Sequence, residues 1–381
     1  MAGSQTLRMR GGQLTAALAL YFFTFAGLAR AQNPLPPLPP LPPLPPAVMP
    51  AQDFADIADS VSAPETITAP MTGAQPLSVE GIGTVPAGTR VETGFFETIR
   101  ESIFGKADPD TWRPLPLSTL FSEGWNEAWV PSPSGSGGAP RQGWINATDG
   151  NMYRLWFFTF AQGFNQQPVG NAYLGAYTLY TPLSRRLLLI TSIPFIMRNN
   201  AVTGLPIIDP TRPAAATHHS YSGFGDISFT PRVLLHETQD LSVTAEMAIV
   251  TPTGTQPLAG KTTTLVPAVG MWYNFAGGWA IRGGTGLAIP MNGSGDDLIN
   301  QLSIGQTLTE HDVPLFGDFT YYLSTVVNTS LANGSQTSVT LTPGIRTHLG
   351  RDWYFLAGIP TPVTKDRVAE VGMIFWFMKA W

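Results

Sequence analysis

Two groups of residues in this sequence could do chemistry. One is His218-His219-Ser220 with Asp209 shortly before it, the kinds of side chain from which a hydrolase or a metal site is built. Only five histidines occur in the chain, and neither His-Glu-x-x-His nor Gly-x-Ser-x-Gly accompanies them. A polar exposed loop is therefore the expectation, and an enzyme is not. The chain has no cysteine, which removes thiol catalysis, Cys-ligated zinc, a disulfide scaffold and a lipid-modified N-terminal cysteine. No cofactor or metal site is expected. The other group is a set of ionisable side chains embedded in otherwise apolar, alternating stretches: Arg154, Arg186, Asp226, Arg232, Glu246, Arg282, Asp318, Arg346, His348 and Glu370. Guanidiniums and carboxylates placed this way either pair and brace a structure or line a wet path that selects solutes. Which of the two applies depends on the elements that hold them.

From residue 151 to the end the texture is regular. Twelve segments alternate apolar with polar or small residues, separated by Gly, Pro, Asn and Asp; their expected spans are 152–163, 171–181, 185–198, 222–236, 241–251, 262–275, 279–290, 297–308, 316–329, 336–348, 351–360 and 368–381. In the seventh, Trp279, Ile281, Thr285, Leu287 and Ile289 share one face, while Ala280, Arg282, Gly284, Gly286 and Ala288 share the other. In the ninth, Phe319, Tyr321, Leu323 and Val327 oppose Asp318, Thr320, Tyr322, Ser324 and Asn328. A period of two puts each set on one side of a strand.

Such strands build either a soluble sandwich or a membrane barrel. They are about twice the usual five or six residues, which suits a tilted crossing of a bilayer. The longest near-apolar stretch after residue 31 runs from Leu187 to Met197 and contains Thr191, Ser192 and Pro194, too short for a spanning helix. Charged residues are only 12 %, and Gly (39), Pro (35) and aromatics (11 %) are plentiful, as a β structure with an apolar exterior requires. The formal charge of −5 gives no basic footprint for nucleic acid. Connections near 181–184, 236–240, 276–278 and 350–352 are short and alternate with longer ones at 199–221, 252–261 and 291–297; only 310–315 is longer than its short set prefers. The expected fold is therefore an all-β, antiparallel transmembrane barrel of about twelve strands over residues 151–381, short turns in the periplasm and long loops outside. An even strand count leaves both ends on the periplasmic side.

What precedes the barrel divides into three. Arg8 and Arg10, an apolar stretch from Leu14 to Leu28 and Ala29-Arg30-Ala31 make residues 1–31 an export signal, the alternative being an uncleaved anchor. Residues 32–94 are a linker. Its run at 34–46 repeats Pro-Leu-Pro with the three-residue turn of polyproline II, a stiff spacer or a ligand for a proline-binding groove, and 47–94 are expected to be mostly disordered. Residues 95–150 form a periplasmic or plug segment. Phe95, Phe96, Ile99, Ile103 and Phe104 predict a short amphipathic helix over 92–104, ended by Gly105, and Trp112, Trp125, Trp129 and Trp144 follow. So many tryptophans suggest docking onto the barrel, the membrane interface or a partner.

The C-terminal stretch Val371, Met373, Phe375, Phe377 and Trp381, apolar at alternate positions and aromatic at the end, resembles the last strand of bacterial outer-membrane barrels. The resemblance implies that Phe375, Phe377 and Trp381 are part of the signal read by the barrel-assembly machinery; Lys379 departs from the pattern. A narrower likeness lies in Gly223-Phe224-Gly225-Asp226-Ile227 with Thr230-Pro231-Arg232 and Thr251-Pro252-Thr253-Gly254, which is similar to the outer-membrane transporters grouped with phenol-degradation pathways. It covers about thirty residues and implies a barrel in outer-membrane lipid that passes small, often hydrophobic solutes. Gly223, Gly225 and Asp226 carry that motif.

If the apolar faces meet lipid, the ten ionisable residues named above line the interior. Twelve strands lie between eight, which side chains fill, and sixteen to eighteen, which leave an open channel, so a narrow or plugged pore is expected. The functional expectation is a channel or transporter for small solutes, apolar or aromatic ones included, with a narrow charged lumen. The alternative is a structural or adhesive barrel whose Pro-rich arm and Trp-rich segment tether cell-wall or protein partners.

Overall fold

The computed structural model describes residues 93–166, 170–199, 221–255, 260, 262–293, 295–332, 336–364 and 370–381. The export signal, nearly all of the 32–94 linker, Asp209 and His218-His219-Ser220 lie outside the described residues.

The alternation read above becomes strands β1 (Leu155–Gln166), β2 (Gly170–Pro182), β3 (Leu187–Asn199), β4 (Tyr221–Phe224), β5 (Ser228–Glu237), β6 (Leu241–Val250), β7 (Thr264–Asn274), β8 (Trp279–Pro290), β9 (Asp297–Thr307), β10 (Gly317–Ser330), β11 (Thr337–Gly350), β12 (Trp353–Gly358), β13 (Thr361–Pro362) and β14 (Val371–Ala380). β4 and β5 both pair with β3, and β12 and β13 both pair with β11, so each couple is one interrupted strand of a closed, 12-strand antiparallel barrel. β1 and β14 close it, in register from Leu155 opposite Ala380 to Phe164 opposite Val371. Within hydrocarbon a closed ladder is the β arrangement that leaves no edge of unpaired N–H and C=O groups.

The expected spans match to within a few residues, with two local differences. The fourth is interrupted at Gly225–Ile227, where Gly225 N–H still bonds Pro194 O but the chain turns aside to meet the loop after β6. The eleventh begins only at Trp353, because Gly350, Arg351 and Asp352 all take positive φ (103°, 51° and 60°) in the tight turn that reverses β11 into β12. The helix, α1, runs Phe95–Phe104, and the extended Gly105 ends it.

Sidedness follows the alternation. Tyr321 and Leu323 of β10 point out and are 41 % and 43 % exposed, while Thr320, Tyr322 and Ser324 between them are buried. Lys379 keeps this parity. It stands opposite Trp156 and Trp353 on the outer face, and its ammonium reaches Arg351 O and Asp352 at the turn end. The long side chain thus carries its charge out of the apolar band instead of shifting the register.

Much of residues 112–152, an irregular segment with little backbone pairing of its own, fills the barrel, while Leu117 and Phe121 stand exposed outside it. Leu115 pairs with Glu237 at the short-turn end, and the chain climbs to Thr148 before returning through Met152 to β1. Its apolar side chains complete two cores. Ala139, Trp144 and Ile145 pack with Leu155, Phe157, Trp272, Ala280, Tyr322, Leu356 and Met378, and Leu115 and Met152 pack with Leu188, Ile190 and Leu234. Burying each large side chain contributes about 1.5–3 kcal/mol.

The wall is thinned where the segment touches it. A Cβ on Gly270 would stand 2.7 Å from Asp149 O and 2.9 Å from Thr148 Cγ2, all inside the segment rather than the barrel. Gly270→Val is therefore expected to unseat the segment while the barrel still forms. The check is unchanged heat-modifiable gel mobility combined with new protease cleavage near Arg141.

Candidate functional site

The inner wall carries most of its charge at the level of the inserted segment, where Arg186, Arg232 and Glu237 are hydrogen-bonded to it, whereas Arg282 and Arg346 each keep a buried Nε and Nη1 without a hydrogen-bond partner. Arg232 on β5, 4 % exposed, donates from Nη1 to Asp149 Oδ1 at 2.5 Å and to Asn151 O at 2.9 Å, and from Nε to Glu246 Oε2 on β6 at 2.6 Å. The register sets Arg232 opposite Glu246 across the ladder, so the wall supplies one carboxylate and the segment the other. Arg186 leans on oxygens alone: Glu123 O, Leu234 O, Leu235 O, Pro116 O and Thr119 Oγ1. Five donors on a planar fork suit a buried junction of loop ends.

Glu237, at the short-turn end of β5, is the second hub. Its carboxylate accepts from Ser132 Oγ at 2.6 Å, Arg141 Nη1 at 2.8 Å, Trp112 Nε1 at 3.2 Å and Arg185 Nη2 at 3.4 Å. The chain of charge continues through Arg185 and Glu127 to Arg113 and Glu123. Burial draws the pKa of Arg141 and of Arg185 below the ordinary guanidinium value, with the Glu237 carboxylate pulling the other way. A buried network of this kind is costly to leave half-satisfied.

Around these hubs polar side chains of the segment meet the wall singly. Gln142 Nε2 donates to Thr320 Oγ1, Ile145 N–H to the Tyr322 hydroxyl, Asn146 Nδ2 to Thr342 Oγ1 and Thr148 Oγ1 to Gln301 Oε1. Trp144 stacks on Tyr322 at 5.2 Å, and Arg282, fully buried, lies over the Trp144 ring while donating to the Tyr153 hydroxyl at 2.8 Å. Arg346 lies 4.3 Å from the centre of the Tyr354 ring.

Other residues expected inside are placed differently. Asp318 at the start of β10 accepts from His311 Nδ1 at 2.8 Å, and His348 near the end of β11 stacks on His311 at 4.1 Å, so both buried side chains are met by His311 from the long turn between β9 and β10. Asp226 shares the inward parity of β5, but both its oxygens serve the loop after β6: Oδ1 accepts Gly254 N–H at 2.9 Å and Oδ2 accepts Gly260 N–H at 2.7 Å. Gly225 lets this kink approach Pro194, and Gly223 sits against Thr255, so the family motif is a loop clamp. Arg154 precedes β1 on the opposite parity to Leu155 and lies between the Trp129 and Trp381 rings, outside the wall's inner face. Glu370 is exposed at the long-loop rim, before β14 begins. The alternation that places charges within a strand does not hold past its ends.

Above Glu246 the inner wall changes character. The registers put Thr178, Ser192, Ser228, Ala248, Val266 and Ala288 on the inner face there. The next inward-parity charges among the described residues are Asp226, whose oxygens serve the loop after β6, and Asp297, opposite Ala288 at the rim. No group of three or more His, Asp and Glu side chains able to hold a metal ion occurs among the described residues. The residue types alone do not single out Asp149, Glu127 and Arg141, since an irregular segment carries no period from which a direction can be read, nor Glu237, which follows the register shift between Leu234 and His236 in β5; the density of tryptophans is the available signal.

A closed antiparallel barrel with an apolar outer face and a polar, charge-braced interior defines a transmembrane β-barrel of the outer-membrane type. The chain belongs to the family described as "Putative MetA-pathway of phenol degradation", which it matches over residues 159–375. Among solved structures it is similar to an outer-membrane channel from Pseudomonas putida F1, at 13 % identity over 63 % of this chain and 97 % of that one, with a TM-score of 0.43. It is also similar to the KdgM porin, at 5 % identity over 60 % and 99 % of the two chains, with a TM-score of 0.40. No curated protein matches the chain.

Glu237→Ala would leave Arg141 and Arg185 buried without their shared carboxylate, a loss of about 3–5 kcal/mol for a broken buried pair. Asp318→Ala removes a partner from a half-exposed histidine and is expected to cost about 1 kcal/mol or less. Denaturant unfolding of the two variants, followed by Trp fluorescence, checks the order.

Proposed function

We propose that this protein is an outer-membrane channel passing small solutes, apolar or aromatic ones among them, through a narrow lumen whose charged level is held by residues 112–152. The observation that carries the reading is the division of the inner wall. Arg186, Arg232 and Glu237 are engaged with the inserted segment in the lower half, whereas above Glu246 small uncharged side chains line the inner face, with Asp226 tied into the loop after β6 and Asp297 at the rim. A wall of Ala, Val, Ser and Thr offers a neutral organic solute contact without the desolvation of fixed charges. The association of the family with phenol degradation agrees with a solute of that class. In this reading the short turns and both chain termini face the periplasm, the export signal delivers the chain, and the segment sets the narrowest part of the path. The Pro-rich arm on which the tether alternative rests lies outside the described residues.

Single-channel recording in planar bilayers tests the proposal. The mature protein is expected to show small discrete openings, and replacement of residues 112–150 by a short Gly-Ser link to raise the conductance several-fold. A folded barrel that stays silent after the replacement would overturn it. Flux of phenol into proteoliposomes is expected to exceed that of a sugar of similar size, and equal flux would remove the apolar preference.

The same reading makes Phe375, Phe377 and Trp381 an address for the assembly machinery. Removal of Trp381 is expected to lower the amount of folded barrel recovered from outer membranes severalfold while leaving refolding in detergent nearly unchanged.

A further inference from the structure

We propose that α1 is a membrane-interface anchor, lying in the headgroup and acyl boundary of the phospholipid leaflet at the short-turn rim; this rests on the reading of the chain as a membrane-embedded barrel. The helix is built the wrong way round for a water-facing one. The side chains it buries are polar, Thr98 and Ser102, both 0 % exposed, whereas Phe96 and Phe104 are 84 % and 79 % exposed. At about 100° per residue, Phe95, Phe96, Ile99 and Ile103 fall within about 100° of one another around the axis. Thr98 and Ser102 flank that sector on one side, and Glu97, Arg100 and Glu101 occupy the far side, where Arg100 pairs with both carboxylates and where Phe104, the last helical residue, also falls. Three sectors therefore face three surroundings: protein, water and a third, apolar one.

The attachment of the helix supplies its height. Ser102 Oγ accepts the Trp129 N–H at 2.9 Å, and Arg154 Nη1 donates to Ser102 O at 3.3 Å and Gly105 O at 2.9 Å. Arg154 is the residue immediately before β1, and it also lies over the Trp381 ring. Two residues further along is Trp156 on the outer face, in edge contact with Trp353 at 5.4 Å, with Lys379 between their strands. Tryptophans with a snorkelling lysine mark the boundary between hydrocarbon and water on a barrel wall. One residue of strand rises about 3.3 Å, so α1 is moored within a few ångströms of that band. Its apolar sector continues the lipid-facing surface of the barrel. The helix charges balance to near neutrality, so apolar insertion rather than attraction to anionic lipid supplies the affinity.

The absence of cysteine makes the test direct. Full-length mature protein carrying single substitutions Phe96→Cys, Ile103→Cys, Glu97→Cys, Glu101→Cys or Phe377→Cys is spin-labelled and placed in phosphatidylcholine–phosphatidylethanolamine vesicles. Collision with oxygen is compared with collision with a water-soluble nickel chelate. Labels at 96, 103 and 377 are expected to favour oxygen, and labels at 97 and 101 the chelate, each difference being several-fold. Chelate access at 96 and 103 with lipid access at 377 overturns the anchor and leaves the barrel reading intact. Chelate access at 377 as well overturns both. Shielding of 96 and 103 from both reagents means protein covers the face, which also overturns the anchor. Lipid photo-crosslinking of the unsubstituted chain, with adducts sought on residues 92–106, probes the same contact without any variant: adducts support the anchor and their absence, alongside adducts on β14, overturns it.

Discussion

The pairing of β1 with β14 is the condition on which the remaining structure rests. In hydrocarbon an unpaired strand edge leaves a row of N–H and C=O groups with no water to meet them. Closing the ladder from Leu155–Ala380 to Phe164–Val371 removes that edge. Closure then fixes everything else. Side chains must alternate between lipid and interior around the whole circumference, the strand ends must turn at two rims, and the enclosed space must be filled or wetted. The outer face meets the demand with Phe, Leu, Ile and Trp; the inner face meets it with residues 112–152.

The filling is polar where it could have been apolar. Trp144, Ile145 and Leu115 supply packing, but the orientation of the segment is set by Arg232 with Asp149, by Arg186 among carbonyls and by Glu237 among its four donors. Apolar contacts tolerate sliding, whereas a bidentate or multiply bonded guanidinium does not. A segment held mainly by directional bonds has one seat, and displacing it breaks several bonds together.

Much of this was readable in advance, for reasons that are local. A strand crossing between lipid and interior must alternate, so the spans and faces of β8 and β10 could be written from residue types alone. The inward placement of Arg232, Arg282 and Arg346 follows from the same parity. Where the chain leaves the ladder, the rule stops. Arg154 lies before β1 and Glu370 before β14, and each takes its surroundings from a rim rather than from the wall. Asp226 could be recognised as part of a motif, but its role as an acceptor for Gly254 and Gly260 requires the loop to be in place. Asp149 carries no periodic mark, because a segment whose backbone bonds are made one at a time to a wall has no repeat of its own, and Glu237 lies past the register shift between Leu234 and His236, which breaks the parity of β5.

The segment enters and leaves the lumen at the same rim: Leu115 is tied to Glu237 at a short turn, and Met152 runs straight into β1. Topologically it is a bight pushed into a ring, not a thread passed through one. No free end has to travel the bore, and no knot or link forms between wall and filling. The cylinder and its stopper are therefore separable in space: no rung between barrel strands has to break for the bight to be drawn in or let out, and the backbone bonds that part are those of Leu115 with Glu237, of Gly278 N–H with Gly137 O and of Arg185 N–H with Glu127 O.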